Sequence, residues 1–334
     1  MGRNERLNQA NKKKDDEYYT LYDDIASEVP MYKPYLKGKR IICPCDWDES
    51  YNEDIVFKQG AEVVNSDLFS NGAVREVDII KSGQRIEKDI SIVKCKFVKF
   101  LIAHADNYGI QSISVSGYNP ETQEGVKFQD IDYSKYDLVI TNPPFSKFIE
   151  FINTMFRYKL QFLVIGPQTA IGYKDVFPHI MNNEMWMGYH YHLTGFLRLD
   201  GSVLPKNHNI PRSCCWFTNL DVSYRHDKMI LTESYSPMSF PKYFNYDGID
   251  VNRTLSIPYD YKGLMGVPIT FLQKYNPDQF EILGMSGKVA GKMPSSLPKN
   301  LKGGPAFYLQ KRDGTFRRLF GKMVIRNKQV VKAE

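Results

Sequence analysis

The stretch "DLVITNPPFSKF", residues 137–148, holds a short apolar run that stops at an unusual turn. Residues 138–141 (LVIT) are apolar or β-branched, which is typical of a strand buried on both faces. Proline ends strands because it cannot donate to the hydrogen-bond ladder. One proline would suffice, so the second proline, the amide before the pair and the aromatic ring after it need another explanation. The amphipathic stretch that follows predicts a helix over about residues 147–159.

The turn Asn142-Pro143-Pro144-Phe145 is stiff and rich in hydrogen-bond acceptors. Two prolines fix φ near −65° and remove two backbone N–H groups, which leaves the Asn142 side-chain oxygen and main-chain carbonyls as acceptors. Such acceptors suit a planar –NH₂ group, and accepting both of its hydrogens favours the pyramidal, nucleophilic form of the nitrogen. Phe145 adds a flat surface for the ring that carries the amine. This is the [DNS]-P-P-[YFW] pattern of amino-methyltransferases that use S-adenosylmethionine; the alternative is a plain Pro-Pro strand terminator, which the flanking strand and helix disfavour.

Around the turn, predicted strands and helices alternate along the chain. The predicted strands are "KRIICPCD" (39–46), "IQSISVSG" (110–117), "YDLVITN" (136–142) and "LQFLVIGP" (160–167). Besides the helix after the turn, the predicted helices are "YYTLYDDIASEV" (18–29), opening near residues 15–17, and "CKFVKFLIAHADNYG" (95–109). The segments 185–199 and 211–221 predict an antiparallel hairpin that finishes the sheet. This alternation predicts an α/β fold with a parallel sheet covered on both faces, whose ligands lie beyond the carboxyl ends of the strands.

Composition divides the chain and limits its function classes. We expect a flexible basic segment at 1–14, a catalytic domain at 15–228 with an excursion from the core at 47–90, and an irregular α+β region at 229–334. The formal charge is +6, and residues 288–334 carry twelve Lys or Arg against two acids, which permits a polyanionic partner.

The cysteines and the apolar runs indicate an intracellular protein. The five cysteines are an odd number without framework spacing, which favours a reducing compartment. Neither Cys43-Pro44-Cys45 nor Cys214-Cys215 has zinc-site spacing, so no metal is predicted. No apolar run reaches the length of about 18–20 residues that a membrane span needs, so we expect a cytoplasmic protein without a membrane partner.

Several further stretches carry a resemblance to a known family. They are "DDEYYTLYDDI" (15–25), "YKDVFPHI" (173–180), "WFTNLD" (216–221) and "NYDGIDVNRTLSIPYDYKGLMGVPITFLQKYNPDQFEI" (245–282). Together with the turn at 142–145, they resemble the EcoRI-type family of DNA adenine-N6 methyltransferases, over about residues 15–285.

The resemblance implies a Rossmann-like methyltransferase sheet followed by a carboxy-terminal DNA-recognition region. It implies S-adenosylmethionine as methyl donor and a flipped-out adenine of double-stranded DNA as target. It also implies a monomeric bacterial or phage enzyme of a restriction-modification or orphan DNA-marking system, whose cognate endonuclease need not touch it. An RNA adenine-N6 or protein glutamine-N5 methyltransferase stays open as an alternative, since both share NPPF-like motifs. A catalytically inactive DNA-binding subunit is the alternative from another class, and the intact turn counts against it.

The resemblance also assigns site residues. Asn142 and the Pro143 carbonyl would hold N6 of adenine, with Pro144 completing the motif and Phe145 stacking on the base. The residues that match the donor pocket or its neighbourhood are Tyr18, Tyr19, Thr20, Cys45, Asp46, Ser116, Tyr118 and Asp130. Thr20 is the candidate for the methionine carboxylate and Asp130 for the donor's adenine, where a polar loop acid is the alternative. Cys45 and Asp46 stand where most methyltransferases have a Gly-rich loop.

Two details of the donor and DNA sites stay open. No acid follows the second strand, where the ribose partner is usual, so Ser116 and Tyr118 are the candidates for that role. DNA contacts are predicted for Lys206, Asn207, His208 and Arg212, and for Arg317 and Arg318. The loop at 203–213 would also suit a solvated surface, and Lys or Arg side chains on phosphates would supply binding that carries no sequence information.

Overall fold

The computed structural model describes residues 19–46, 54–56, 76–81, 84–89, 95–119, 124–198, 202–205, 208, 213–291 and 305–331. The chain forms two compact units, which are described separately below. The first unit comprises residues 1–170 and 187–220, and the second comprises 171–186 and 221–334. The predicted flexible segment 1–14 lies outside the described residues.

The strands and helices of the described residues are numbered in chain order. The strands are β1 (Tyr19–Thr20), β2 (Arg40–Cys43), β3 (Asp54–Val56), β4 (Glu76–Lys81), β5 (Gln84–Asp89), β6 (Ser112–Val115), β7 (Tyr118–Asn119), β8 (Glu124–Gly125), β9 (Leu138–Thr141), β10 (Gln161–Pro167), β11 (Trp186–Met187), β12 (Gly195–Leu197), β13 (Val203–Pro205), β14 (Cys214–Thr218), β15 (Ile249–Asp250), β16 (Met265–Val267), β17 (Phe280–Met285), β18 (Tyr308–Gln310), β19 (Phe316–Arg318) and β20 (Met323–Asn327). The α-helices are α1 (Tyr22–Glu28), α2 (Lys33–Leu36), α3 (Lys96–Tyr108), α4 (Phe148–Arg157), α5 (Phe177–Met181) and α6 (Ser286–Val289). The 3₁₀ helices are Val29–Tyr32, Phe128–Asp130, Tyr133–Lys135, Phe145–Lys147, Gln168–Gly172, Ser223–Arg225, Thr254–Ser256 and Ile269–Lys274. No helix of the described residues is long and apolar enough to cross a membrane.

The largest sheet has the order β11-β14-β10-β9-β2-β6-β3-β4-β5. Its inner strands β10, β9, β2 and β6 are parallel neighbours. β9 and β10 carry continuous apolar runs, as strands covered on both faces do, whereas β6 alternates serine with apolar residues. β14 pairs antiparallel with β10. Beyond β6, the strands β3, β4 and β5 pair antiparallel, so the predicted excursion at 47–90 contributes an edge of the sheet itself.

The strand order changes direction beside β2. The chain passes from β2 through α3 to β6 on one side, and later places β9 on the other side of β2. A crevice forms beyond the carboxyl ends of the strands at such a switch point. The two loops that meet there are the Cys-Pro-Cys-Asp loop at 43–46 and the turn at 142–145, and both follow strands that sequence patterns predicted.

Local sequence explains how the neighbouring elements are held. β9 is buried at all four positions, and α3 ends at Gly109, whose φ of 64° is the left-handed conformation that glycine adopts without strain. The ring of Phe148, the first residue of α4, lies so close to Gly166 of β10 that any Cβ at Gly166 would collide with it. Glycine there lets the helix after the turn pack directly on the sheet.

Two predicted elements differ from the structure. Tyr19 and Thr20 are not helical but form β1, which pairs with β12, and α1 begins only at Tyr22. The first strand of the predicted closing hairpin is limited to the two residues of β11, next to β14. Gly195–Leu197 instead joins β1 and β13 in a separate three-stranded sheet. Residues 189–194 leave the main sheet because buried carboxylates of α1 bind their backbone amides.

The second unit has its own core. Its four-stranded sheet has the order β15-β16-β20-β17, so β20 is an inner strand although it belongs to the basic segment at 288–334. β18 and β19 form a separate antiparallel ribbon. The helices of this unit are short: α5 has five residues and α6 has four. The irregular α+β region after residue 229 stays a prediction.

Candidate active site

The turn at 142–145 lies directly beyond the carboxyl end of β9. Asn142 is half-buried, with its side-chain oxygen Oδ1 shielded from solvent, and Pro143 is buried. Pro144 has φ −55° and ψ 126°, and its carbonyl accepts the Lys147 N–H at 2.9 Å, which starts a 3₁₀ turn. Phe145 is the first residue of that turn and is half-buried. The turn is therefore fixed between a buried strand and a packed helix.

Thr141, the last residue of β9, joins this turn to the loop after β2. Its hydroxyl donates to Asp46 Oδ2 at 2.5 Å and accepts the backbone N–H of Cys45 at 3.3 Å. Asp46 is 5% exposed, and burial raises the pKa of its carboxyl to about 7, although hydrogen bonds from Thr141 and Cys95 act in the opposite direction. A carboxyl at this position changes charge near neutral pH, which suits a site that receives a cationic group.

The end of β6 is tied to the same loop. The Asp46 N–H donates to the Ser116 carbonyl at 3.2 Å, and the Ser116 N–H donates to the Cys43 carbonyl at 3.0 Å. Ser116 is thus brought next to Asp46, and its role at the donor stays a prediction. Tyr118 lies two residues further on in β7, with the ammonium of Lys127 4.9 Å from its ring centre.

Asp130 is exposed at the end of the 3₁₀ helix Phe128–Asp130. This helix packs on α4 through Phe128 and Phe151, whose ring centres are 5.2 Å apart. Asp130 is therefore attached to the helix that follows the turn, and none of the described contacts joins it to Asp46.

β1 brings Thr20 close to Phe145 through Phe196, which both residues contact. Thr20 is buried, and its hydroxyl Oγ1 has no hydrogen-bond partner within the described part of the chain. Thr20 is paired across the strands with Phe196, and Tyr19 with Leu197. The Phe196 ring in turn packs edge-on against Phe145, with 6.1 Å between ring centres. Thr20 and Phe145 therefore contact the same aromatic residue, while Tyr18 lies outside the described residues.

Sequence patterns missed a buried carboxylate in α1. Glu28 is fully buried, and it accepts the backbone N–H groups of Tyr189 and His190, each at 2.8 Å, and the Tyr32 hydroxyl at 2.7 Å. The imidazole Nδ1 of His190 lies 2.7 Å from Glu28 Oε2, and this hydrogen bond raises the pKa of His190.

Asp24 repeats this arrangement one helical turn earlier. Both of its carboxylate oxygens accept the backbone N–H of Thr194, at 2.8 and 3.0 Å. Burial raises the pKa of Asp24, although the hydrogen bonds from Thr194 oppose the shift. Asp24 and Glu28 are four residues apart, so they lie on one side of α1. That spacing was the available signal, but acids in a short helix usually indicate a solvated surface.

The predicted DNA contacts fall in two places. Lys206, Asn207 and Arg212 lie outside the described residues. His208 is half-buried, and its N–H donates to the Pro205 carbonyl at 2.8 Å. Arg317 and Arg318 are exposed on β19 of the second unit.

The part of the chain that the structure describes contains no cluster of side chains suited to binding a metal ion. No group of three or more His, Cys, Asp or Glu side chains there could hold an ion. Cys43 and Cys215 are fully buried, and burial raises the pKa of both thiols, so they remain protonated.

Comparison with known proteins agrees with the chemistry of the turn. The family model "adenine-specific methyltransferase EcoRI" matches residues 6–328. The type II methyltransferase M.EcoRI of Escherichia coli is 34% identical over 299 residues, covering 84% of this chain and 89% of the relative. M.MpnI of Mycoplasma pneumoniae is 28% identical over 297 residues, covering 83% and 84%, and M.MgeORF184P of Mycoplasma genitalium is 29% identical over 297 residues, covering 83% and 85%. No solved structure matches the chain significantly.

Proposed function

The chain belongs to the EcoRI family of adenine-specific methyltransferases, and on that premise we propose that it methylates N6 of an adenine in double-stranded DNA, using S-adenosylmethionine. The observation that carries the proposal is the meeting of the Asn142–Phe145 turn with the Asp46 loop, joined through Thr141. This meeting places the acceptor-rich turn at 142–145, which suits an amine, next to the buried polar loop at 43–46. Both lie where the strand order of the sheet changes direction beside β2.

The donor pocket of this proposal is formed by β1 and the loop after β2. The buried Thr20 hydroxyl, which lacks a protein partner among the described residues, fits a role in binding the carboxylate of the donor's methionine. Asp46 suits the adjacent ammonium group, because a cation within about 4–6 Å favours the ionised carboxylate. Tyr18, Tyr19, Cys45, Ser116, Tyr118 and Asp130 complete the proposed donor-binding set. When bound, the donor supplies an electrophilic methyl group on a sulfonium.

The remaining steps belong to the chain's own residues. N6 of adenine is hidden in the duplex stack, so the base must be flipped out at a cost of a few kcal/mol. The Asn142 side-chain oxygen and the Pro143 carbonyl accept the two N6 hydrogens and raise the nucleophilicity of the nitrogen. Pro144 keeps the turn stiff, and Phe145 stacks on the base. N6 would form a bond to the methyl carbon as the carbon–sulfonium bond breaks and a neutral thioether leaves, and the extra proton on N6 would then pass to solvent.

The proposal also covers the domain boundaries, the DNA contacts and the biological system to which the enzyme belongs. We propose a Rossmann-like methyltransferase domain at 15–228, and a target-recognition region at 229–334 that contacts DNA through Arg317 and Arg318. Lys206, Asn207, His208 and Arg212 are the proposed contacts from the first region. We further propose a monomeric, cytoplasmic enzyme paired in function with an endonuclease. The type II names of the relatives support the restriction-modification setting.

Transfer of tritium from labelled S-adenosylmethionine tests the proposed function. The full chain is incubated separately with duplex DNA, structured RNA and a protein mixture, and the DNA product is digested to nucleosides. We expect label in DNA only, as N6-methyladenine. Label in RNA or in protein glutamine would replace the proposal with one of the related activities. Binding of DNA without label in any acceptor would indicate an inactive DNA-binding subunit.

A further inference from the structure

A two-stranded ribbon projects basic side chains from the second unit. β18 and β19 pair with the register Tyr308–Arg318, Leu309–Arg317 and Gln310–Phe316. The intervening turn is closed by hydrogen bonds from the Lys311 N–H to the Thr315 carbonyl at 2.7 Å, and from the Gly314 N–H to the Lys311 carbonyl at 3.0 Å. Gly314 has φ 78°, which only glycine adopts readily. The ribbon is thus a defined hairpin with a fixed register.

One side of the ribbon packs on the core of the second unit at both of its ends, at Tyr308 and at Phe316 beside the turn. Tyr308 and Phe316 are buried together with Ala306, and Phe316 packs edge-on against Phe244, with 4.7 Å between ring centres. The side chain of Asn245 accepts the Tyr308 N–H at 3.1 Å. A contact surface on such an anchored ribbon is held in place without help from a ligand.

The two arginines of β19 lie on opposite sides of this ribbon. Residues paired directly across antiparallel strands share a side, and neighbours along a strand alternate. Arg318 therefore shares the side of Tyr308, which is buried, whereas Arg317 shares the side of Leu309. Both arginines are exposed, but they cannot serve the same surface.

The side of Arg317 borders a shallow cavity. Its volume is about 360 Å³, and its lining residues are Pro241, Asn252, Leu309, Gln310, Lys311 and Arg317. The cavity therefore combines two side-chain amides with two cations. Asn252 belongs to the segment 245–282 and Arg317 to the basic segment 288–334, so the two parts of the sequence meet here.

We infer that this ribbon enters the major groove of the target duplex and that Arg317 and Asn252 read bases there, while Arg318 binds phosphate. The inference rests on the proposed function and names part of its specificity. A two-stranded ribbon fits the major groove, where arginine pairs with O6 and N7 of guanine, and asparagine pairs with N6 and N7 of adenine.

Charge supports duplex DNA as the occupant. The ribbon and its turn carry four cations, Lys311, Arg312, Arg317 and Arg318, against one acid, Asp313. The Asp313 carboxylate is engaged within the turn, where it accepts the Thr315 N–H at 2.9 Å and the Thr315 hydroxyl at 2.6 Å. The exposed charge is therefore complementary to a phosphate backbone.

The test compares R317A and R317K with R318A, which is the matched control on the opposite side of the same strand. Each variant is expressed in a host that lacks adenine methylation, and the methylated motif is determined by methylation-aware sequencing. The affinity of each purified variant for motif and scrambled duplexes is then measured against salt concentration. R317K keeps the charge but loses the planar fork, so it separates base reading from phosphate attraction.

We expect R318A to keep the motif, to bind all duplexes more weakly and to have a salt slope shallower by roughly 0.9. R317A and R317K should instead accept further bases at one motif position, with discrimination there reduced by about 10-fold or more. An unchanged motif in R317K would overturn the inference while leaving the proposed function intact. Should R317A fail to fold, as judged by its melting, R317K decides the question. A wild-type chain that leaves host DNA unmodified would overturn the proposed function itself.

Discussion

Asn142 is the only side chain that the turn after β9 offers as an amide acceptor, and its proposed role makes a quantitative prediction. Asn142→Ala should lower the rate of methyl transfer by on the order of 10²-fold or more, because one aimed polar contact to a reacting group is worth about 3–4 kcal/mol. Affinities for S-adenosylmethionine and for duplex DNA should persist. Single-turnover kinetics and donor titration measure both. Ser146→Ala, at an exposed position of the same 3₁₀ turn, is the control, and near-normal turnover of the Asn142 variant would refute the mechanism.

The proposed role of Asp46 at the donor's ammonium group predicts that donor binding depends on pH. Its carboxyl has a pKa raised to about 7 in the donor-free protein, chiefly by burial, and the ammonium group of the donor favours the ionised form. Donor binding must therefore release the proton at low pH, so affinity should weaken as pH falls below about 7. It should approach a tenfold loss for each further pH unit.

Calorimetric titration of the donor between pH 5.5 and pH 8.5 measures this dependence. Asp46→Asn should bind the donor more weakly at pH 8, with a flatter pH profile, since its amide does not ionise in this range. An equally steep profile in Asp46→Asn would assign the titration to another group.

At the scale of single residues, the sequence predicted those site residues that a short local motif identifies. The Asn142 turn is visible because two prolines and a preceding apolar run constrain the backbone within a few residues. The structural role of Glu28 could not be predicted, because its partners Tyr189 and His190 are 161 and 162 positions away along the chain. An acid bound by distant backbone amides has the same local pattern as an acid in solvent.

At the scale of elements, α1 acts as a clasp on residues 189–194. Glu28→Gln should lower the free energy of unfolding by roughly 2–4 kcal/mol. The side-chain NH₂ group of Gln would face backbone N–H donors that one carboxylate oxygen accepts at present, and a buried N–H group would be left unpaired. The His190 pKa is raised by its hydrogen bond to Glu28. The stability from that pair is therefore complete below the unfolded pKa of about 6.5 and is lost as pH rises through the folded pKa.

Urea unfolding at pH 6 and pH 8.5 measures this clasp. The cost of Glu28→Gln should be larger at pH 6. Asp24→Asn is the control one turn away, since Asp24 accepts the backbone N–H groups of Thr194 and Gly195, whereas the His190 ring bonds Glu28. An equal cost for the two variants at both pH values would contradict the clasp.

The same clasp explains which elements sequence predicted less well. The inner strands β9 and β10 follow from continuous apolar runs, since a parallel sheet covered on both faces demands them. β6 was also predicted, although it alternates serine with apolar residues. β1 is two residues long and exists only because β12 lies beside it. β12 in turn leaves the main sheet where Asp24 and Glu28 bind the chain. Pairing between positions about 175 residues apart has no counterpart in local periodicity, and short strands are decided by their partners.

At the scale of the whole molecule, the basic segment 288–334 serves two purposes. Its cations Arg317 and Arg318 are exposed, but Lys322 is buried and binds Asp250 at 2.9 Å. The net charge of the whole segment permits a polyanionic partner. It could not show that β20 is an inner strand, because the pairing of β20 with β16 and β17 is non-local. Part of the charge therefore stabilises the second unit and is not available to DNA.

Lys322→Met makes the last prediction, because it removes the cation of this buried pair and keeps much of the side-chain length. Asp250 is fully buried and would retain only the Tyr243 hydroxyl, at 2.9 Å from its Oδ1, in place of a cation. Breaking one side of a buried ion pair costs about 3–5 kcal/mol, because the remaining charge stays uncompensated.

Arg326→Met is the matched control in β20. The side chains of Arg326 and Glu281 lie 3.2 Å apart and are both about half exposed, and such exposed pairs are worth under about 1 kcal/mol. Urea unfolding of both variants, followed by fluorescence, measures the difference. Since Thr20 and Asp46 belong to the first unit, donor affinity under folding conditions should survive Lys322→Met while DNA affinity falls. Equal costs for the two variants would refute the buried Lys322–Asp250 pair as a source of stability.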